Sequence, residues 1–237
     1  MNPATPAPTV KAPLASAPQD YYHETRAVML PYLPERFTRV LEVGCGGGRF
    51  SEQLKGPGRE VWGIEPFDVA ARQTATRLDK VLVGTYESCA DQLPDGYFDL
   101  VICNDVIEHM TDHDAFLEAI KKKMAPKASL VGSIPNIRYL PCLIRLVFLK
   151  DWAYEDYGVM DRTHLRFFTE KSLRRTFEQH QFKVHQMGGI NSILVRGMGI
   201  SPFVKFAVKA VAASMIVLSL GQLRDTRFLQ FAFRLSL

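Results

Sequence analysis

Apolar positions along this chain recur in two rhythms. Short runs rich in branched residues read as strands at 39–43 (RVLEV), 60–65 (EVWGIE), 80–83 (KVLV), 98–103 (FDLVIC) and 129–134 (SLVGSI). Helix-period segments lie between them at 49–55, 69–78 and 114–124. The last carries Phe116, Leu117 and Ile120 at core spacing. Residues 98–103 are almost wholly apolar after Asp99, as a parallel strand covered on both faces should be. The order β-α-β-α-β-β-α-β predicts an α/β fold: an open sheet with helices on both faces.

Beyond Pro135 the pattern loosens. Residues 136–162 are aromatic-rich without clear periodicity. Residues 169–180 predict a helix with Thr169 as N-cap, and 183–190 and 228–235 (FLQFAFRL) predict two more strands. Between these lies an apolar helical insertion, 200–223. Its longest uncharged run, 210–223, is 14 residues, short of the ~20 needed to span a bilayer. Lys205 and Lys209 share one face of it. The cover expected for its apolar side chains is the domain's own core, a second copy in a homodimer, or peripheral contact with a membrane surface. At the other end, 21–37 reads as a helical segment broken at Pro31 and Pro34, and 1–19 as a disordered tail.

Composition narrows the picture. A chain of 237 residues suits one domain, here 20–237. Lys plus Arg number 29 and Asp plus Glu 25, an excess of +4, too weak to argue for a nucleic-acid partner. The four cysteines form no CxxC, and no H-E-x-x-H is present, so neither a disulfide framework nor a metal site is expected. The N-terminus lacks the apolar core of an export signal, so the expected compartment is the reduced cytoplasm.

The strongest chemical signal is 41–50, LEVGCGGGRF. A strand feeding a glycine turn that opens a helix leaves backbone N–H groups free, and the missing Cβ atoms let a ligand approach them. That is a nucleotide cleft at the C-terminal edge of the first strand. The dinucleotide fingerprint fails at Arg49, where a small residue is required, and there is no G-x-x-x-x-G-K-[ST]. Glu65 ends the second strand, where a carboxylate can accept hydrogen bonds from two ribose hydroxyls or can simply be solvated.

VLEVGCGGGRF, VWGIEP and FDLVICNDVIEHM together resemble the class I S-adenosylmethionine-dependent methyltransferases, and among them the small bacterial enzymes that group with ubiquinone-type O-methyltransferases. The resemblance implies a Rossmann-like sheet of seven strands, the last antiparallel and inserted between the fifth and sixth. It implies S-adenosylmethionine as cofactor and a small-molecule or glycan acceptor in a biosynthetic pathway, with O-methylation as the main expectation. N-methylation, a protein or RNA acceptor, and a non-catalytic cofactor-binding module stay open, as does a weaker nicotinamide-dependent rival.

By position in the family, Gly44, Gly46 and Gly48 line the methionine part of the cofactor and Glu65 takes the ribose. Thr85, Tyr86 and Glu87 follow the third strand, where adenine is contacted. Asn104 and Asp105 sit beside the cofactor's amino group and the transferred methyl. Tyr22 and Arg26 lie on a covering N-terminal segment. Glu42, Cys45, Pro66 and His109 complete the expected cofactor-binding set. The chain after the fifth strand, 136–168, supplies the acceptor pocket. There His164, three residues beyond Asp161, is expected as a general base oriented by that carboxylate, or as part of a structural network. His109 reads as a second base or as a cap for the following helix.

Overall fold

A computed structural model describes residues 25–193, Ser214 and residues 219–237. The tail 1–19, Tyr22 and most of the insertion 200–223 lie outside these described residues.

Seven strands form one sheet: β1 (Arg39–Val43), β2 (Glu60–Glu65), β3 (Lys80–Val83), β4 (Phe98–Asn104), β5 (Met124–Pro135), β6 (Lys183–Ser192) and β7 (Phe228–Ser236). The helices are α1 (Arg49–Glu52), α2 (Asp68–Thr74), α3 (Tyr86–Cys89), α4 (His113–Lys123), α5 (Leu140–Phe148) and α6 (Glu170–Gln179). Spatial order is β3-β2-β1-β4-β5-β7-β6. β1 to β5 are parallel, and β7 runs antiparallel between β5 and β6. This is the seven-stranded Rossmann-like sheet expected from the sequence.

Strand periodicity splits the core into two layers. Val101 and Cys103 of β4, Leu41 and Val43 of β1, and Phe231, Phe233 and Leu235 of β7 face one layer, which α4 and α6 cover with Phe116, Leu117, Ile120, Leu173 and Phe177. The alternate residues Leu100, Ile102, Val40 and Ala232 face the other, closed by Met29, Tyr32, Phe50 and Leu54. Asp112 caps α4 by accepting from the Ala115 N–H, and Lys121, Lys122 and Lys123 occupy its last turn, where cations suit the helix dipole. Thr169 and Ser172 form the capping box of α6.

Several elements differ from the sequence reading: α1 and α2 end earlier, at Glu52 and Thr74, the short helix α3 stands where none was expected, and β6 runs on to Ser192. β5 begins at Met124, because the chain leaves α4 directly into pairing with Phe98 and reaches its regular register only after an irregularity between Phe98 and Leu100. The segment before β1 is a 3-10 turn, Ala27–Tyr32, with Pro31 inside it, and no longer helix forms among the described residues there. α5 was not anticipated. None of its residues is buried, and its nine residues form a nearly continuous apolar run, which by itself does not distinguish a helix from a strand. No helix of the described residues is long and apolar enough to cross a membrane.

Candidate active site

The glycine turn between β1 and α1 bends under the ends of the neighbouring strands. The N–H groups of Gly44 and Cys45 both donate to the Ile64 carbonyl, at 2.8 and 3.1 Å. Gly44 sits at φ +70°, and a Cβ there would lie 2.6 Å from the Val106 side chain. Gly48, at φ +73°, starts α1 with its Cα against Thr74. The result is a cleft lined by Gly44 to Gly47, Arg49 and Phe50 of the turn, Glu42 beneath it, Glu65 to Phe67 after β2, Asn104 to Val106 after β4, and Arg26 from the leading segment.

Polar groups left without partners mark the floor of this cleft. Glu42 and Asn104 are buried, and neither Glu42 Oε2 nor either amide atom of Asn104 has a hydrogen-bond partner. Such groups cost free energy unless something completes them. Burial raises the Glu42 pKa to about 7, against weaker lowering by Ser51 and Arg26. Glu65 accepts from the N–H groups of Gly46 (2.7 Å) and Phe67 (3.1 Å), yet burial still raises its pKa. These residues fit a polar, partly cationic ligand whose amino and hydroxyl groups would supply the missing donors.

Asp105 is already satisfied. It accepts from Arg26 Nη1 (2.6 Å), Ser133 Oγ (2.8 Å) and Gln230 Nε2 (2.8 and 2.7 Å). Burial opposes its ionisation, but Arg26 and these donors outweigh it and hold its pKa below the usual value. Both Asp105 (φ +55°) and Arg26 (φ +45°) are in the left-handed region, a strained backbone held by this network.

Beyond Asp105 the chain makes a 3-10 turn, Ile107–His109, against the loop 158–166. The Leu165 and Arg166 N–H groups both donate to the Glu108 carbonyl. The rings of His109 and His164 meet edge to face, with centroids 4.7 Å apart. Glu108 is buried with neither carboxyl oxygen partnered, and one oxygen lies 4.0 Å from His164 Nε2. Burial, then Asp105, pushes its pKa well up. Glu108, His109 and His164 each place one ligand-type atom within 4.8 Å of the others. Sequence spacing could not disclose this group, since His164 arrives from 55 positions away. The group brings a buried carboxyl and two imidazoles together. Desolvation lowers both imidazole pKa values, although one side of His109 is open to solvent.

Of the residues expected for the cofactor, Arg26, Glu42, Gly44, Cys45, Gly46, Glu65, Pro66, Asn104 and Asp105 line one cleft. Several placements differ from expectation. Tyr86 is buried in the core against Phe116, ring centroids 4.8 Å apart, because the helical turn after Thr85 aims it inward. Gly48 serves the start of α1 and does not line the cleft, and Thr85, Glu87 and His109 are also absent from its lining. The Asp161 carboxylate bonds Thr163, not His164, whose Nδ1 instead meets the Val159 carbonyl at 3.1 Å. His109 does not cap α4, since Asp112 does. Sequence reasoning missed Gly47, Arg49, Phe50, Phe67 and Val106. Gly47, Arg49, Phe67 and Val106 each adjoin a residue that was named, and Phe50 closes the glycine-turn motif, so nearness to those residues was the available signal. It also missed Gln230, which reaches Asp105 across 125 positions with no local signal.

Known proteins are similar to this chain in sequence and in fold. The family described as "Methyltransferase domain" matches residues 15–187. A ubiquinone biosynthesis O-methyltransferase of Vibrio atlanticus is 32% identical over 137 residues, covering 53% of this chain and 57% of that protein. One of Aeromonas salmonicida is 30% identical over 184 residues, covering 71% of this chain and 75% of that protein. The chain thus spans little more than half of the first relative and three quarters of the second. A solved SAM-dependent methyltransferase from Archaeoglobus fulgidus superposes with a TM-score of 0.63 at 20% identity, covering 91% of this chain and 96% of that one. That likeness bears on the fold.

Proposed function

The chain belongs to the methyltransferase domain family, and from that membership we propose that it transfers a methyl group from S-adenosylmethionine to a hydroxyl of a small-molecule acceptor. The observation that carries this reading is the cleft at the glycine turn, where Glu42 and Asn104 keep buried polar atoms without partners. The curated relatives, named as ubiquinone biosynthesis O-methyltransferases, support oxygen as the methylated atom.

Bound S-adenosylmethionine supplies a methyl made electrophilic by its sulfonium. The residues that would hold it are Glu65 for the ribose, Asn104 and Glu42 for the amino-acid end, and the backbone of Gly44 to Gly47 around them. The chain's part in the reaction is alignment and exclusion of water. Arg26, held on Asp105, closes the cleft from the leading segment. The 3-10 turn Ile107–His109 and the loop 158–166 form the acceptor side, where a hydroxyl must give up its proton. Trp152, Tyr154, Tyr157 and Leu165 expose apolar surface on that side, which suits an acceptor with an aromatic or apolar body.

Calorimetric titration with S-adenosylhomocysteine tests the cofactor site. Transfer of labelled methyl to a panel of phenols, catechols and sugars tests the acceptor class. Binding of the cofactor product with no transfer to any hydroxyl compound would replace the enzyme reading with that of a cofactor-binding module. Self-association, or a lipid contact, through residues 200–223 is a separate proposal, tested by light scattering and liposome binding.

A further inference from the structure

The geometry points to Thr163 as a positioning residue that, together with Asp161, fixes His109 in the tautomer able to accept the acceptor's proton. This rests on the methyl-transfer reading above and names the residues that complete its acceptor side.

Thr163 Oγ1 lies 2.6 Å from Asp161 Oδ1 and 3.1 Å from His109 Nδ1. A carboxylate only accepts, so the single hydroxyl proton of Thr163 goes to Asp161. Toward His109, the same oxygen is left with lone pairs. His109 Nδ1 must therefore carry the proton and donate it. The Thr163 carbonyl, 3.3 Å from the same nitrogen, can only accept and requires the same tautomer. In a neutral imidazole the other nitrogen, Nε2, is then the acceptor. The Asp161 carboxylate is itself anchored by the Thr163 N–H at 2.7 Å, so the chain Asp161–Thr163–His109 has one consistent direction.

His164 carries the same tautomer for a different reason, since its Nδ1 meets the Val159 carbonyl. Its Nε2 faces the buried Glu108 carboxyl, and the residue is 7% exposed. No acceptor hydroxyl can reach that nitrogen. His109 keeps an open side and stands three residues past Val106, which lines the cofactor cleft. In the reaction, the hydroxyl proton passes to His109 Nε2 as its oxygen takes the methyl from the sulfonium. The products are a methyl ether, a thioether and an imidazolium, whose new charge is met through Thr163 by Asp161. The other ionisable groups around His109 are His164, Glu108 and Asp105.

Two measurements on the full chain test this. Long-range 1H–15N spectra of the imidazole rings read the tautomer without any acceptor. Wild type should show His109 protonated at Nδ1; Thr163→Val, which keeps the side-chain shape but leaves only the longer carbonyl contact at 3.3 Å, should raise the Nε2–H share, and Thr163→Ser should restore the wild-type ratio. With the acceptor found in the panel assay, Thr163→Val should lower turnover at neutral pH by roughly 10–10²-fold, inside or just below the range for a deleted base. The same variant should displace the acidic limb of the pH–rate profile, while S-adenosylhomocysteine affinity stays unchanged. A wild-type His109 carrying its proton on Nε2, or a Thr163→Val spectrum like wild type, overturns the assignment. Loss of S-adenosylhomocysteine binding by the wild-type chain would overturn the cofactor reading instead, so the two failures are distinguishable.

Discussion

The cofactor cleft and the acceptor-side cap adjoin each other at the turn Ile107–His109, yet they are built in opposite ways. The cleft is assembled from the C-terminal ends of β1, β2 and β4, neighbours in a parallel sheet whose core residues are almost fully buried. Each of its groups comes within a few residues of a strand end, so the sheet register positions all of them together. The cap, residues 136–168, has a helix with no buried residue and shows solvent Ile144, Leu146, Val147 and Phe148. Besides the buried Val159, Met160 and Phe168, it is tied down by separate polar contacts, such as the bidentate Arg138–Asp225 pair and the Leu165 and Arg166 N–H groups on Glu108. Rigid packing sets the cofactor half, while tethering sets much of the half proposed to meet the acceptor.

The largest contrast should appear in stability. Phe116, 2% exposed and packed on Tyr86, is expected to cost ~3–5 kcal/mol on replacement by Ala, read from urea unfolding midpoints. A cost below a third of that would mean the cofactor half is as loosely held as the cap. Next is Glu42→Gln. The folded pKa of Glu42, about 7, exceeds its ordinary 4.5, so the native state holds this proton more tightly. Its contribution is therefore full below pH 4.5 and is lost as pH rises through about 7. At alkaline pH and without cofactor, the Gln variant should be more stable than wild type by ~3 kcal/mol, from 2.5 units at about 1.36 kcal/mol each. Parallel stability–pH curves for the two proteins would count against a buried, strained Glu42.

Glu65→Ala should weaken S-adenosylhomocysteine binding by ~1–3 kcal/mol, the scale for a lost charged hydrogen-bonding group. His164→Ala, on the cap, should leave that affinity near wild type, and equal losses from both would dissolve the division into halves. Phe148→Ala, at a site 76% exposed, should change stability by no more than ~0.5 kcal/mol. A large loss would show that α5 is covered. The smallest effect concerns the seam between α4 and α6, where His180 binds Glu118 through Nδ1 and Asp114 through Nε2. Two donors require the imidazolium. Desolvation works against it, but both carboxylates outweigh that and raise its pKa. Its stabilisation is present below the unfolded pKa of ~6.5 and fades as pH rises through the folded value. Melting temperature should fall slightly less over that window in His180→Gln than in wild type.

How much of this could be read along the chain follows the same division. Strands β1, β2 and β3 were legible to the residue, because branched runs ended by charge or glycine depend on local sequence alone. The glycine turn and Glu65 were legible for the same reason, since parallel strands always deliver their ends to one edge. α5 was not legible, because a short, nearly continuous apolar run does not by itself distinguish a helix from a strand. Tyr86 was misplaced because position after a strand says nothing of which way the first helical turn points. Asp161 and His164 looked like partners by their spacing, but the loop turns the carboxylate onto Thr163 and brings His109 in from 54 positions away.

By itself, then, the sequence determined the order of the strands, the nucleotide-type turn and the acid beyond it, since each depends on interactions within about ten residues or on the fixed geometry of a parallel sheet. Only the tertiary structure decided that Asp105 is saturated by Arg26, Ser133 and Gln230, that Asn104 is left unpartnered beside it, and that Thr163 meets His109. These outcomes turn on which donors and acceptors come within about 3 Å of one another, and hydrogen bonds of that length join residues whose separation along the chain carries no signal.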